Sequence, residues 1–173
     1  MSAVTDDFEL SSKAAQGDRR AFSALVRRHE ARVRAFLART AGAQAADDLA
    51  QETFLRAWRN AGKYRGAGSY AGWLLAIGWR VFLDASKRQR LELGRRNEVA
   101  PPPALSFEDA SAKMDVEKLM AALEPDERAS LVLCLGQGWS HGEAAEILGV
   151  PLGTLKSRVA RATAKCRAML DAE

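Results

Sequence analysis

The sequence predicts an all-α protein made of two small helical domains. Apolar residues recur every three or four positions along most of the chain, and no useful stretch alternates apolar and polar residues as a strand would. Three consecutive prolines, Pro101–Pro103, interrupt this pattern. Because proline lacks the amide donor that a helix needs, we expect a flexible linker there. The predicted boundaries are a first domain at 8–94, a linker at 95–113 and a second domain at 114–173.

Composition narrows the class of protein. Hydrophobic residues make up 47% of the 173 positions, which is enough to form cores. The net charge of +4 is compatible with a polyanionic partner but does not identify one. Cys134 and Cys166 offer neither a disulfide framework nor metal-ligand spacing. Together with the lack of a long apolar run or a signal sequence, this predicts a cytoplasmic protein without metal or cofactor.

Helix signals divide the first domain into four helices. Gly17 and Asp18 read as a helix end followed by a new N-cap. We expect Trp73 to be buried, because it lies on the apolar stripe of the fourth helix, and His29 to lie on a helix surface. The predicted helices end before Gly17, run from Asp18 to about Thr40, from about Ala45 to Asn60, and from about Tyr70 to Gln89, with the glycine-rich loop GKYRGAGSY before the last.

The second domain carries a helix-turn-helix pattern. Ser140 and Glu143 have the spacing of a capping box. The helix that they open reaches a glycine turn at Gly149, and a basic helix then begins near Pro151. Two helices joined in this way, the second one basic, are typical of a motif that places its second helix in the DNA major groove. Two further helices are predicted ahead of it, the first from Val116 to Leu123 and the second from Pro125 to Leu135.

The residues of this last helix separate into a buried and an exposed face. An apolar stripe ending at Cys166 faces inward, so the basic residues between its members face outward. Arginine can bond a guanine edge, and free amides at a helix N-terminus suit a phosphate. An ordinary solvated basic face is the alternative. The candidate DNA contacts are Thr154, Lys156, Ser157, Arg158 and Arg161.

The first domain has two charged surfaces of opposite sign. Its third helix begins with acidic residues, which alternatively serve only as partners of the helix dipole. Its fourth helix and the preceding loop interleave aromatic and basic residues, the combination that single-stranded nucleic acid requires for stacking and phosphate contact. The acidic surface comprises Asp47, Asp48, Gln51, Glu52, Phe54 and Trp58, and the other comprises Tyr64, Arg65, Ser69, Tyr70, Trp79, Arg80, Lys87 and Arg88.

These segments resemble a known family. The stretches DDLAQETFLRAWRN and YRGAGSYAGWLLAIGWRVFLDASKR resemble region 2 of bacterial sigma factors, and GWSHGEAAEILGVPLGTLKSRVARATAKCR resembles region 4. The short chain, with a linker where larger sigma factors have a third domain, is similar to the extracytoplasmic-function class. One departure concerns Arg80, because the family pattern often has asparagine there beside the position of Trp79.

The resemblance implies a transcription initiation factor without catalytic activity. It implies that the acidic surface docks on the clamp of the large subunit of core RNA polymerase. The aromatic and basic surface would bind the minus-ten element as it melts, with one base flipped into the 64–70 loop. The last helix would bind the minus-thirty-five element as duplex. An anti-sigma factor is an expected partner, and it could hold the protein at the inner membrane face.

Two other functions remain open from the residues. The first is a helix-turn-helix regulator that acts without being a polymerase subunit, and stable binding to core polymerase would distinguish the two. The second is an enzyme, which the sequence disfavours because His29 and His141 are the only histidines and no nucleophile, metal or phosphate motif accompanies them.

Overall fold

The computed structural model describes residues 3–96 and 112–171, and within those ranges every regular element is helical, which confirms the predicted fold class. Of the predicted linker, residues 97–111 lie outside the described residues, and its two ends lie in helices. The α-helices are α1 (Ala3–Ala15), α2 (Arg19–Ala41), α3 (Ala43–Arg59), α4 (Tyr70–Arg96), α5 (Ala112–Ala121), α6 (Pro125–Leu131), α7 (His141–Leu148) and α8 (Leu152–Leu170), with a 3₁₀ turn at Ala61–Lys63 and a π-helical turn at Val132–Gly136.

Local capping signals set most of these boundaries. The Asp18 carboxylate accepts hydrogen bonds from the amides of Arg20 and Ala21 at 2.8 and 3.1 Å, so it caps α2 as predicted. The predicted capping box of α7 also forms, since the amide of Ser140 donates to the Glu143 carboxylate at 2.9 Å and the Glu143 amide donates to the Ser140 hydroxyl at 3.3 Å. Helix α4 continues to Arg96, beyond the predicted end at Gln89, because most of the residues that follow are arginine, leucine and glutamate, which favour a helix.

The larger of the two hydrophobic clusters among the described residues runs through both halves of the chain. Leu25, Phe36 and Leu74 of the first half belong to the same buried cluster as Leu133 and Leu155 of the second. Helix α7 packs against α4, and α6 packs against α2. The structure presents the two predicted domains in one packed arrangement. This closed pairing of the two halves depends on contacts between residues far apart in the chain.

Polar contacts reinforce the closed pairing at its edge. The Gln137 side-chain amide donates to the carbonyl of Arg32 at 3.0 Å. The Arg32 guanidinium lies 5.7 Å from the centroid of the Trp139 ring, in cation–π geometry. A Cβ atom added at Gly72, in the first turn of α4, would lie 3.6 Å from that same tryptophan ring. Trp139 therefore contacts α2 on one side and the start of α4 on the other.

Helix α1 covers a polar pair that the sequence placed at the surface. His29 is 9% exposed, and its Nε2 atom lies 2.9 Å from the Asp7 carboxylate. The expectation that His29 lies on a helix surface is therefore wrong, because α1 packs over this face of α2. Arg28 adds ion pairs to Asp7 and, at 2.6 Å, to Asp6. These contacts fix α1 against α2.

Candidate functional surfaces

The acidic surface of α3 contains three exposed residues and three partly buried ones. Asp47, Asp48 and Gln51 are exposed. The Asp47 carboxylate pairs with Arg34 of α2 at 2.6 Å, across solvent-exposed side chains. Such an exposed pair contributes little to stability, so it leaves Asp47 accessible to a partner. The half-buried members are Glu52, Phe54 and Trp58.

A groove lies between α2 and α3 at this surface. Its volume is about 240 Å³. Apolar side chains form part of the lining and charged groups the rest, so a partner inserted there would meet an apolar surface bordered by carboxylates and one guanidinium. The lining residues are Val26, Glu30, Arg34, Asp47, Ala50, Gln51 and Phe54.

Besides Asp47, two more of the predicted residues on α3 have partners within the chain. The Glu52 carboxylate accepts a hydrogen bond from Arg56 Nε at 2.7 Å, and the same guanidinium reaches Asp84 of α4 at 2.7 Å. The Trp58 ring meets Phe22 of α2 edge-on, with centroids 5.0 Å apart. These two residues therefore connect α3 to its neighbours, while Asp47, Asp48 and Gln51 are the more accessible part of the surface.

The loop between α3 and α4 has an aromatic floor. Tyr64 is 5% and Tyr70 1% exposed, and their rings meet edge-on with centroids 5.1 Å apart. Trp73, partly buried as part of the predicted stripe, packs against both tyrosines. Burial raises the pKa of Tyr70 far above its usual range, and its hydroxyl has no hydrogen-bond partner among the described residues. Neither tyrosine presents a free ring face in this conformation, contrary to the accessibility that the sequence suggested.

Hydrogen bonds hold the loop above this floor. The Tyr64 hydroxyl donates to the carbonyl of Gly68 at 3.0 Å, which joins the two ends of the turn. The Ser69 hydroxyl accepts from the Gly72 amide at 3.0 Å and so caps α4. Gly66 and Gly68 have φ values of 74° and 71°, a region that favours glycine. Of the four predicted loop residues, Arg65 is the exposed one.

Of the four candidate DNA-binding residues on the body of α4, one is buried and three are exposed. Trp79 is 4% exposed and stacks on Phe82 with centroids 5.3 Å apart, so it belongs to the core. Arg80, Lys87 and Arg88 are exposed. Their spacing places them on one side of the helix. The exposed basic face of α4 is therefore defined as Arg80, Lys87 and Arg88.

Helix α8 presents most of its predicted DNA contacts to solvent. Thr154, Lys156 and Ser157 are exposed, and the side chain of Arg161 is 65% exposed. Arg158 differs, because its side chain is 17% exposed and its guanidinium lies 2.6 Å from the Asp126 carboxylate of α6. Four of the five predicted residues thus share an exposed face, and the fifth joins α8 to α6.

Acidic residues of α6 hold the basic side of α8. Lys165 donates to the Glu127 carboxylate at 2.7 Å, and Arg161 Nε lies 3.7 Å from it. Burial would raise the pKa of Glu127, but the hydrogen bonds from Lys165 and from the Glu124 amide more than offset this and lower it. Asp126 and Glu127 were not predicted as partners of α8, because two acidic residues in the first turn of a helix ordinarily interact with the helix dipole.

The residues that join the two halves of the chain were also not predicted from the sequence. Arg128 is 1% exposed, and Arg32 and Trp139 meet across the closed pairing. No spacing pattern relates residues that lie a hundred positions apart. Within residues 3–96 and 112–171 there is no cluster of metal-ligating side chains and no helix that is long and apolar enough to cross a membrane.

Two family models match the chain in order. The model for sigma-70 region 2 matches residues 25–92, and that for sigma-70 region 4 matches residues 113–166. The ECF RNA polymerase sigma factor SigC of Mycobacterium tuberculosis is 36% identical, over 94% of this chain and 92% of the relative. SigM of the same species is 33% identical, over 95% of this chain and 84% of the relative.

Solved structures have the same fold. CnrH, in complex with the cytosolic domain of CnrY, matches with a TM-score of 0.70 and 31% identity, covering 97% of this chain and 99% of CnrH. The sigma factor RpoE from Bartonella quintana, in complex with the anti-sigma factor NepR, matches with a TM-score of 0.79 and 24% identity, covering 87% of this chain and 96% of RpoE.

Proposed function

The chain belongs to the sigma-70 family as an extracytoplasmic-function sigma factor, an alternative factor for transcription initiation, and we propose which of its surfaces perform each step. The domain at 8–94 would bind core polymerase and the minus-ten element. The domain at 114–173 would bind the minus-thirty-five element. The observation that carries this proposal is that one chain combines an accessible acidic surface on α3 with exposed basic faces on α4 and α8.

The exposed face of α8 is proposed to bind the minus-thirty-five element as duplex. Lys156, Ser157 and Arg161 would reach base edges or phosphates from the first turns of the helix, as in other helix-turn-helix proteins. Thr154 lies where a phosphate would meet the free amides of the helix N-terminus. Arg158 would act differently, because its ion pair with Asp126 holds α8 in its orientation on α6.

The exposed basic face of α4 and Arg65 are proposed to bind the minus-ten element while it melts. Arg80, Lys87 and Arg88 would contact the phosphates of one strand along the outer side of the helix. A base extruded from that strand would enter the loop between Tyr64 and Tyr70. Because both tyrosine rings are buried here, they would form the floor of the site, and the base would contact the loop backbone above them. The backbone of Gly66 and Gly68 allows a base to approach closely.

The α3 surface is proposed to bind core RNA polymerase, at the clamp of its large subunit. Asp47, Asp48 and Gln51 would make the polar contacts, and a basic partner surface would be favoured by their charge. Phe54 lies in the wall of the adjacent groove, where it offers apolar contact. Glu52 and Trp58 would support this surface through Arg56 and Phe22.

An anti-sigma factor is proposed as a regulatory partner. CnrH, which has the same fold at 31% identity, was solved with the cytosolic domain of CnrY. The closed pairing of the two halves leaves Trp139 against the first turn of α4, beside the loop that would receive DNA. A partner that binds this arrangement better than an open one would shift the population away from promoter binding. The site of action would be the cytoplasm, with retention at the inner membrane face through such a partner.

Run-off transcription with core polymerase tests the proposed function. Purified protein, core polymerase and a library of genomic fragments should give transcripts that start at defined sites, and omission of either protein should abolish them. A co-purification experiment should yield a stable complex with core polymerase. Specific DNA binding without any binding to core polymerase would instead support a helix-turn-helix regulator that is not a polymerase subunit.

A further inference from the structure

Helix α1 makes direct contact with the loop between α3 and α4. The Phe8 ring packs on Gly66, since a Cβ atom at that glycine would lie 3.0 Å from Phe8 Cδ2. The same ring lies 6.2 Å from the Tyr64 ring, at an interplanar angle of 59°. Gly66 has a φ of 74° and Tyr64 forms part of the loop floor. One side chain of α1 thus contacts both a positive-φ glycine of the loop and its aromatic floor.

A second contact connects α1 to the start of the same loop. The Ser11 hydroxyl donates to the carbonyl of Ala61, in the 3₁₀ turn, at 3.3 Å, and Ser11 is 1% exposed. Next to it, a Cβ atom at Gly62 would lie 3.7 Å from the Cβ of Ala15. Helix α1 therefore lies along the loop from the 3₁₀ turn to Gly66, with contacts from Phe8, Ser11 and Ala15.

The other side of α1 is fixed to α2. The buried Asp7 carboxylate bonds to His29 at 2.9 Å and pairs with Arg28. Phe8 follows directly in sequence, so the anchored carboxylate determines where its ring lies. Because of this anchoring, α1 can restrict the conformation of the loop. A loosely attached helix could not, since the glycines of the loop allow it many backbone conformations.

We propose that α1, through Phe8, is a positioning element that holds the Tyr64–Tyr70 loop in the conformation that accepts an unstacked promoter base. The proposal rests on the proposed function of that loop. Helix α1 ends before residue 25, where the match to sigma-70 region 2 begins, so it extends the site beyond the matched region. Phe8 acts through Gly66 and Tyr64, and no contact of its own with DNA is required.

The physical reason is the conformational freedom of the glycines. Gly66 and Gly68 can each populate many backbone conformations, and fixing one residue costs roughly 1–2 kcal/mol. If the loop is not held in place before DNA arrives, that cost reduces the affinity for the base. A ring packed on Gly66 restricts its backbone in the free protein. This is preorganisation, and it increases affinity without an additional contact to the ligand.

The test compares holoenzymes assembled with Phe8→Ala, Phe8→Leu and the control Glu9→Ala. Glu9 is an exposed neighbour on α1 whose carboxylate pairs with Lys13. Each holoenzyme binds single-stranded minus-ten DNA that either carries every base or has one base removed, at each position in turn. The measured quantity is the ratio of the two affinities, because this ratio isolates capture of one base from general binding.

Wild-type protein and Glu9→Ala should prefer the intact strand at one position. Phe8→Ala should reduce that preference roughly five- to tenfold, the effect of about one backbone residue left free, with unchanged affinity for the abasic strand and for core polymerase. Phe8→Leu should retain the preference, because leucine still packs on Gly66.

Three results would overturn the proposal. Phe8→Ala could keep the wild-type preference, or it could lose core binding to the same extent, which would indicate general unfolding. Phe8→Leu could lose the preference as fully as Phe8→Ala, which would mean that the ring itself stacks on the base. A wild-type protein without preference at any position would instead contradict base capture by the loop, and so the proposed function.

Discussion

The guanidinium of Arg128 in α6 donates a hydrogen bond to the carbonyl of Thr40, in the last turn of α2, at 2.9 Å. It also donates to the carbonyl of Leu123 at 3.0 Å, while its Nε has no partner among the described residues. Burial lowers the pKa of Arg128, and no carboxylate forms an ion pair with it in the described part of the chain. A buried cation between two carbonyls is thus the central polar contact of the closed pairing.

Arg128→Ala should destabilise the protein and loosen the closed pairing. Removing this side chain leaves two carbonyls without donors and a cavity in the core, which together should lower the free energy of unfolding by about 2–4 kcal/mol. Urea denaturation would measure that change, and small-angle scattering should give a larger radius of gyration. Arg59→Ala, at an exposed position of α3, is the matched control. An unchanged radius would show that apolar packing alone maintains the closed pairing.

Trp139→Ala should favour an open arrangement with a smaller effect on stability. The substitution removes the cation–π contact with Arg32 and the contact with α4 at Gly72. Because such a contact contributes roughly 0.5–2 kcal/mol, the open population should increase several-fold. If polymerase binds the open form, the affinity for core polymerase should rise by a similar factor. Reduced affinity would mean that the closed pairing itself binds polymerase.

Reversing Asp48 should weaken binding to core polymerase and preserve the fold. Asp48 is exposed on α3, so Asp48→Lys changes surface charge without disturbing the core. Loss of one favourable charge contact and gain of a repulsive one should weaken the affinity by about 1–3 kcal/mol, with a strong dependence on salt. Glu146→Lys on α7 makes the same charge change on the other half of the chain. Equal affinities of the two variants in a pull-down would contradict docking through α3.

Arg161→Ala and Arg158→Ala should have different effects on promoter binding. Arg161 is exposed, so its loss should cost roughly 1–3 kcal/mol of discrimination at one base pair if it bonds a base edge. Arg158→Ala should instead weaken binding to all sequences alike, because it removes the ion pair that orients α8 on α6. Affinities for a set of mutated minus-thirty-five elements would separate the two. A uniform loss with Arg161→Ala would indicate that it contacts phosphate only.

The Asp7–His29 pair should make stability depend on pH. Burial lowers the pKa of His29 below its ordinary value of 6.5, although Asp7 acts in the opposite direction and Arg28 and Arg32 reinforce the decrease. The unfolded chain therefore binds a proton at a higher pH than the folded protein does. The free energy of unfolding should decrease as the pH falls below about 6.5, until the folded pKa is reached. Denaturation of wild type and His29→Gln between pH 7.5 and 5.5 would measure this. If the free energy of unfolding changed equally with pH in both proteins, His29 would be excluded as the cause.

Local sequence determined the secondary structure and the family. The α2 cap at Asp18, the α7 capping box and the glycine turn at Gly149 involve residues within four positions of each other, so their geometry follows from sequence alone. The apolar periodicity predicted the helices for the same reason. The motifs around Asp48 and Arg161 were sufficient to indicate the sigma-70 family, which the matches to regions 2 and 4 bear out.

Only the tertiary structure decided which side chains remain accessible. Tyr70 and Trp79 are aromatic residues of the kind that stack on bases, yet both lie in the core. His29 is buried because α1 covers it. Arg158 and Arg161 occupy the same basic helix, but α6 largely buries Arg158 in its ion pair with Asp126 and leaves Arg161 65% exposed beside Glu127. The closed pairing likewise depends on packing between residues separated by most of the chain. Burial and partner choice are set by contacts between distant helices, and periodicity within one helix carries no information about them.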